Sequence, residues 1–220
     1  VKLAVDNTFM SPYGQNPLNL GADIVMHSAT KFIGGHSDLI AGVLITNNSS
    51  LAEELYFIQK SGGAIPSPFD CWLLLRSTKT MALRVQKQSD NAMKLSKILQ
   101  ENSEVEYVIY PGLESHAQHK LAIRQQASPD DVPIFGSMVS FKCNSIEKRD
   151  RFLSKLKLFT LAESLGGVES LVCIPYEMTH ASVPEKIKKN MDLTQELVRL
   201  SIGIEHLDDL SNDIIQALED

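Results

Sequence analysis

The first 47 residues contain three short apolar runs separated by polar residues and turns. The runs are KLAV at 2–5, ADIVMHS at 22–28 and GVLITN at 42–47. Because their apolar residues are nearly continuous and the connections are short, we predict a sheet that is buried on both faces. A strand so close to residue 1 needs neighbours on both sides, so we expect the chain to be part of a longer protein.

Residues 66–102 have the pattern of one long helix. Ser67 is a suitable N-cap, Pro68 suits the first helical position, and Asp70 is favourable in the first turn. Small and apolar residues downstream keep helical spacing, which predicts a helix that joins two domains. We interpret four basic side chains as its solvated face; they are Arg76, Lys79, Arg84 and Lys87.

From about residue 103 onwards, strand-like segments alternate with amphipathic ones. This pattern predicts an α+β domain with a small sheet and helices on one face. The strand-like segments are VEYVIYP, SMVSFKC, LFTLAES, LVCIP and LVRLSIGIE, and the amphipathic ones are EKRDRFLSKLK and DDLSNDIIQAL. We predict an exposed loop for ASPDDVPIFG at 127–136.

Composition narrows the function classes. The chain has 220 residues, of which 43% are hydrophobic, so it can form a core in one or two domains. A net charge of −6 without a basic run argues against a nucleic-acid partner.

Three scattered cysteines favour a reducing compartment. No apolar run reaches the roughly 20 residues that span a membrane, and no signal peptide is visible, so we expect a cytoplasmic protein without a membrane partner.

Polar residues cluster directly after the first two apolar runs. In open α/β sheets, ligands bind beyond the carboxyl ends of the strands, so we expect a site there. The first cluster is Asp6, Asn7 and Thr8, and the second is Ser28, Thr30 and Lys31.

Lys31, within HSATKFIGGHSDL, is either one more solvated charge or a nucleophilic amine. A nucleophilic lysine forms a Schiff base with a carbonyl substrate or with pyridoxal 5′-phosphate (PLP). PLP also needs hydroxyls for its phosphate, which Ser28 and Thr30 could supply, and a carboxylate at its ring nitrogen, which Asp6 could supply. Arg199 could hold a substrate carboxylate through two hydrogen bonds, although a structural ion pair is the commoner role of such an arginine.

Two other motifs favour structural interpretations. His116 and His119 form an HxxH pair, but no nearby carboxylate or third ligand supports a metal site, so we predict a surface loop. The SLGG segment at 164–167 lacks the rest of a phosphate-binding motif, which favours a tight turn.

Taken together, six segments resemble the Cys/Met-metabolism family of PLP-dependent enzymes in order and spacing. They are VDNTF, HSATKFIGGHSDLIAGV, GAIPSPFDCWLLLR, FTLAESLGGVESL, MTHASVP and LVRLSIGIE, and they are spread over nearly the whole chain. The resemblance implies an α/β, PLP-dependent transferase-like fold of the aspartate aminotransferase type (fold type I). It assigns residues 1–65 to the C-terminal part of the PLP-binding large domain, 66–102 to an interdomain helix and 103–220 to an α+β C-terminal domain.

The resemblance also implies how this chain holds PLP. Lys31 is the lysine that forms the Schiff base, and Asp6 is the partner of the pyridinium nitrogen. Ser28 and Thr30 contact the phosphate, and Thr8 lies near the ring. Because one lysine can move successive protons, no histidine is needed as a second base.

For the substrate, the resemblance implies that Ser164 and Arg199 receive the carboxylate and that Glu163 lies at the distal end. The segments IPSPFDCWL and VIYPGLESHAQH favour γ-elimination of L-cystathionine to L-cysteine, 2-oxobutanoate and ammonia, a step of transsulfuration. The alternatives are the γ-synthase reaction that forms cystathionine and γ-elimination of methionine.

A non-catalytic remnant of the fold is the alternative from another class. Full-length members of the family carry an N-terminal half with a glycine loop for phosphate, an aromatic residue on the PLP ring, and a tyrosine–arginine pair for the neighbouring subunit. These features are not among the 220 residues. The resemblance therefore implies a homotetramer built from dimers, with that N-terminal half as a partner.

Overall fold

A computed structural model describes residues 1–127 and 132–219. The first sheet has three strands in the order β1-β2-β3, with β1 and β2 parallel and β3 antiparallel to β2. Helix α1 and a 3₁₀ helix at Pro17–Leu20 connect the first two strands. The bounds are β1 (Ala4–Asp6), α1 (Ser11–Gly14), β2 (Ile24–Ser28) and β3 (Gly42–Ile45). All three predicted strands are present.

The predicted burial of this sheet on both faces is wrong for the described residues. Leu44 and Ile45 of β3 are 55% and 40% exposed. The 3₁₀ helix packs against β2 and leaves much of β3 uncovered. Only β2 alternates buried and half-buried residues along its length.

Three helices follow, α2 (Ser49–Gly62), α3 (Pro68–Thr78) and α4 (Met81–Glu101). Helix α3 begins as predicted, because Ser67 Oγ accepts a 3.1 Å hydrogen bond from the backbone N–H of Asp70. The single helix predicted over 66–102 is wrong, since the chain leaves helical geometry between α3 and α4. Thr80 Oγ1 donates to the carbonyl of Ser77 at 3.1 Å, and such local bonds compete with the helical ladder.

The side chain of Arg84 also contradicts the sequence interpretation. It is only 5% exposed, whereas Arg76, Lys79 and Lys87 are exposed as predicted. The guanidinium of Arg84 donates to the same Ser77 carbonyl at 3.1 Å, so it lies against the break between α3 and α4.

The second sheet has five strands in the order β4-β5-β8-β7-β6. All pairs of neighbouring strands in this sheet are antiparallel except β6 and β7, which are parallel. Each predicted strand segment contains one of these strands. The elements are β4 (Val105–Ile109), α5 (His119–Gln125), β5 (Met138–Cys143), α6 (Ile146–Lys155), β6 (Thr160–Leu161), β7 (Leu171–Cys173), α7 (Glu185–Asn190), β8 (Leu197–Ser201) and α8 (Leu207–Leu218).

The main core lies between this sheet and three helices. Strand β5 buries every second residue, Val139, Phe141 and Cys143, in one cluster with side chains of α4, α6 and α8. Phe141 and Phe152 meet edge to face at 5.3 Å between ring centroids. This arrangement confirms the predicted mixture of a small sheet with helices on one face. The division into domains at residues 65 and 102 stays a prediction.

The predicted exposed loop at 127–136 is wrong at its end. Residues 128–131 lie outside the described residues, but Ile134 and Phe135 are buried. Ile134 packs with Phe32, Val85 and Leu165 in a second, smaller apolar cluster. In the described part of the chain, no helix combines the length and apolar character needed to cross a membrane.

Candidate active site

The ends of β1 and β2 bring the first predicted polar residues together. The two strands are parallel, so Asp6 and Ser28, their last residues, lie at the same edge of the sheet. Thr8 joins them: its Oγ1 donates to Asp6 Oδ1 at 2.6 Å and accepts from the backbone N–H of Ser28 at 2.8 Å. The Asp6 side chain is therefore held in a fixed orientation, with no cation of the described residues within salt-bridge distance.

Lys31 lies on a compact turn directly after β2. Its backbone N–H donates to the carbonyl of Ser28 at 3.1 Å, which ties the turn to the strand end. The next residue, Phe32, is 1% exposed and anchors the turn in the smaller apolar cluster. Phe32 therefore anchors the turn in the apolar cluster, while the neighbouring side chain of Lys31 remains half-buried.

The amine of Lys31 has a neutral partner. Nζ donates to Ser164 Oγ at 3.3 Å, across 133 positions of sequence. No carboxylate of the described residues lies within salt-bridge distance of it. An amine that is half-buried and unpaired with a carboxylate can act as a nucleophile and as a base once deprotonated.

Thr30 is placed differently from the other predicted hydroxyls. Its Oγ1 accepts from the backbone N–H of Ala41 at 3.0 Å and lies 3.3 Å from the carbonyl of the same residue. The hydroxyl thus ties the Lys31 turn to the start of β3. A phosphate contact by this hydroxyl would have to replace the bond to the Ala41 carbonyl, and that role stays a prediction.

The 164–167 segment packs against the Lys31 turn as an irregular bend, and none of its described backbone hydrogen bonds closes the tight turn that the sequence predicts. Gly166 has a φ of +79°, and a Cβ there would lie 2.8 Å from the backbone nitrogen of Phe32. The N–H of Val168 donates to the carbonyl of Gly35 at 2.9 Å. Glycine is required at 166 because the two backbones meet at van der Waals distance.

Arg199, on β8, lies beside the residue that precedes Ser164. One of its terminal nitrogens donates to the backbone carbonyl of Glu163 at 3.0 Å. The neighbouring strand places Cys173 opposite, and burial raises the pKa of its thiol, an effect that the positive charge of Arg199 reduces in part. No described carboxylate pairs with Arg199, so its guanidinium retains donors for an anion.

Sequence reasoning missed two buried residues next to this site. His27, on β2, is 1% exposed, and its Nδ1 has no hydrogen-bonding partner among the described residues. Burial lowers the pKa of His27, and the nearby Asp6 raises it. Arg84 contacts the Lys31 turn from α4. The sequence signal for Arg84 is its helical spacing, because it lies four and eight positions before Gln88 and Ala92, which share the buried face of α4.

The HxxH pair is engaged within the protein. His119 Nδ1 lies 2.8 Å from the carbonyl of Pro111, and its ring stacks on Phe135. His116 Nδ1 accepts from the backbone N–H of Gln118. Within residues 1–127 and 132–219, no group of three or more His, Cys, Asp or Glu side chains could hold a metal ion.

The structure connects the predicted residues into one site. Asp6, Thr8 and Ser28 form the first group, and the backbone of Lys31 extends it. The Nζ of Lys31 reaches Ser164. Arg199 joins through Glu163, the neighbour of Ser164 in the chain. PLP requires an amine that is not paired with a carboxylate, an oriented carboxylate, and hydroxyls at strand ends. The residues present supply these groups and therefore fit that cofactor.

Comparison with known proteins agrees with this chemistry. The curated cystathionine γ-lyase of Dictyostelium discoideum is 53% identical over 218 residues, covering 99% of this chain and 55% of that protein. A cystathionine β-lyase of Lactococcus lactis is 48% identical over 215 residues, 98% of this chain and 55% of that protein. A solved cystathionine γ-synthase from Xanthomonas oryzae pv. oryzae matches with a TM-score of 0.94 and 40% identity, covering 99% of this chain and 55% of that one.

The chain thus spans about half the length of the curated relatives it matches. The family described as Cys/Met metabolism PLP-dependent enzymes matches residues 1–219. The match includes the Lys31 turn, the 164–167 segment and Arg199. The chain belongs to the Cys/Met metabolism family of PLP-dependent enzymes.

Proposed function

We propose that this chain forms the lysine and substrate-carboxylate part of a PLP-dependent carbon–sulfur lyase that cleaves L-cystathionine by γ-elimination. The products are L-cysteine, 2-oxobutanoate and ammonia. The observation that carries the proposal is the 3.3 Å contact between Lys31 Nζ and Ser164 Oγ, next to Glu163 and Arg199. This contact supports the proposal because it joins the amine that would act as the base to a hydroxyl that would hold an amino-acid carboxylate.

Five residues would hold the cofactor. Lys31 would bind its carbonyl carbon, and Asp6, oriented by Thr8, would hold the ring nitrogen in its protonated form. Ser28 and Thr30 would contact the phosphate. PLP, when bound, withdraws electrons from Cα of the amino acid and so makes the Cα proton acidic.

Lys31 would serve as the base for successive proton transfers. Once the substrate amine has freed it from the cofactor, its Nζ would take the proton from Cα, release that proton to the bound cofactor, and then take a second proton from Cβ. The sulfur would then leave Cγ as a thiolate, which is protonated to give cysteine. Ser164 supports this role because its Oγ accepts a hydrogen bond from Nζ and so orients the amine. A single base that serves two adjacent carbons must be held in a defined orientation, and the Ser164 hydroxyl would hold it there.

Arg199 and Glu163 would fix the two ends of the substrate. A guanidinium binds a carboxylate with two parallel hydrogen bonds, and the contact with the Glu163 carbonyl sets the orientation of Arg199. The Glu163 side chain itself is exposed. We assign its carboxylate to the distal amino group of cystathionine, which carries the opposite charge.

The names of the relatives leave related reactions open: β-elimination, γ-replacement and γ-elimination all begin with removal of the same Cα proton. We favour γ-elimination because relatives from Dictyostelium discoideum and Bacillus subtilis, 53% and 49% identical, are named cystathionine γ-lyases. The γ-synthase reaction is the second candidate, supported by the Xanthomonas oryzae structure.

Product analysis tests the proposal. The full-length, PLP-loaded protein is incubated with L-cystathionine, and the products are separated and identified by mass. Cysteine with 2-oxobutanoate is the expected result, and Lys31→Ala should form neither. Homocysteine with pyruvate would instead show β-elimination. A colourless protein that fails to retain PLP and gives no product would show a non-catalytic remnant.

We also propose that the protein works as a homotetramer built from dimers. In the described residues, helices α2 and α3 expose large apolar side chains; they include Tyr56, Phe57, Phe69, Trp72 and Leu75, each more than half exposed. Such a surface is typical of a protein–protein interface. Light scattering of the full-length protein tests this, and a monomer at micromolar concentration would contradict it.

A further inference from the structure

The guanidinium of Arg84 is buried between the Lys31 turn and the break between α3 and α4. It donates to the carbonyls of Phe32 and Ile33 at 2.8 and 3.1 Å. On the other side it donates to the carbonyl of Ser77 at 3.1 Å and to Thr80 Oγ1 at 3.2 Å. Four hydrogen bonds thus join two segments that are about 50 residues apart.

This buried cation has no carboxylate partner among the described residues. Buried charges are usually paired, because the loss of hydration is costly. Here three backbone carbonyls and a hydroxyl replace the water. Only a planar group with several fixed N–H donors reaches all four acceptors at once, and a lysine ammonium does not have that shape.

Two of the four acceptors belong to the two residues that directly follow Lys31. Gly35 completes the turn with a φ of +70°, and a Cβ on it would overlap Nη1 of Arg84. The carbonyl of Gly35 accepts from Val168, next to the 164–167 segment that carries Ser164. Arg84 therefore supports the backbone between Lys31 and the segment that its amine contacts.

We propose that Arg84 is a positioning residue: it fixes the backbone of residues 31–35 so that Lys31 Nζ stays beside Ser164 and in reach of the protons it transfers. The inference rests on the proposed function of Lys31. Its physical basis is that displacing a catalytic group by about 1 Å can lower the reaction rate on the order of 100-fold. Arg84 contacts neither the substrate carboxylate site nor Lys31 Nζ, and it acts through the backbone.

The test compares Arg84→Met and Arg84→Lys with Arg76→Met in the full-length protein. Arg76 is an exposed arginine on α3 with the same charge, so it controls for the loss of one guanidinium. Hydrogen–deuterium exchange without substrate follows the amides of Gly34 and Gly35, which donate to Ala29 and Lys31. We expect exchange about tenfold faster or more in Arg84→Met, an intermediate rate in Arg84→Lys, and no change in Arg76→Met.

Kinetics supply the second measurement. We expect kcat of Arg84→Met to fall about 10- to 100-fold while KM changes less than about threefold. Arg84→Lys, which keeps the charge but loses the planar fork of N–H donors, should give a weaker form of the same pattern and decides the matter if Arg84→Met does not fold. Unchanged exchange at residues 31–35, or equal acceleration across β5 and β8, would overturn the inference. Because exchange is measured without turnover, it gives its answer even if the proposed lyase reaction is wrong.

Discussion

The guanidinium of Arg199 donates a 3.0 Å hydrogen bond to the backbone carbonyl of Glu163, not to its carboxylate. The two functions of Glu163 are therefore separable. Its backbone orients the arginine that we assign to the substrate carboxylate, and its exposed side chain remains available for the distal end of the substrate. A substitution at 163 keeps the first contact and removes only the second.

Glu163→Ala should therefore change substrate preference more than cofactor binding. We expect kcat/KM for cystathionine to fall about fivefold relative to L-homocysteine, which lacks the distal amino group, because an exposed ion pair contributes up to about 1 kcal/mol. The bound PLP, measured by absorbance, should stay unchanged. Glu169→Ala, which removes a nearby exposed carboxylate, is the matched control. Equal losses with both substrates would show that the Glu163 side chain is structural.

The buried His27 predicts a pH-dependent stability. Burial lowers its pKa in the folded protein below the ordinary 6.5, so the unfolded chain binds the proton more strongly. The stability that His27 contributes as a neutral side chain is present above about pH 6.5 and is lost as the pH falls towards the folded-state pKa.

Thermal unfolding of the full-length protein between pH 5 and 8 measures this effect. His27→Gln should flatten the decline in Tm below about pH 6.5. His206→Asn is the control, because His206 is exposed and caps α8 through an acceptor that asparagine also provides. If His27→Gln declines as steeply as the unsubstituted protein, protonation of His27 does not govern acid stability.

The buried cysteines should be inert in the folded protein. Burial raises the pKa of the Cys143 thiol to about 12, so it stays protonated and unreactive at pH 8. Iodoacetamide followed by peptide mapping should leave Cys143 unlabelled until the protein is unfolded in urea. Cys71→Ser removes the exposed thiol and its background labelling. Rapid labelling of Cys143 in the native protein would show that this part of the core opens to solvent.

The elements that sequence could predict are those determined by local pattern. The strands of both sheets and the Ser67 cap follow from short apolar runs and from side-chain chemistry within a few residues. The cluster of Asp6, Thr8 and Ser28 follows as well, because parallel neighbours end at the same edge.

Features that depend on distant contacts could not be predicted in this way. The burial of Arg84 depends on the carbonyls of Phe32 and Ile33, which approach it from a segment about 50 residues away. The burial of Ile134 likewise depends on a cluster with Phe32, Val85 and Leu165, which no local pattern places together. Helical spacing alone does not distinguish a buried guanidinium from a solvated one.

The most direct test of the central claim is to identify the lysine that binds PLP. The full-length protein is loaded with PLP, reduced with borohydride, digested and mapped by mass spectrometry. We predict one PLP-derived mass addition, on the peptide that contains Lys31. Lys31→Ala should lose this addition and all turnover while its circular dichroism stays unchanged. A reduced adduct on any other lysine, or turnover by Lys31→Ala at the rate of the unsubstituted enzyme, would contradict the account.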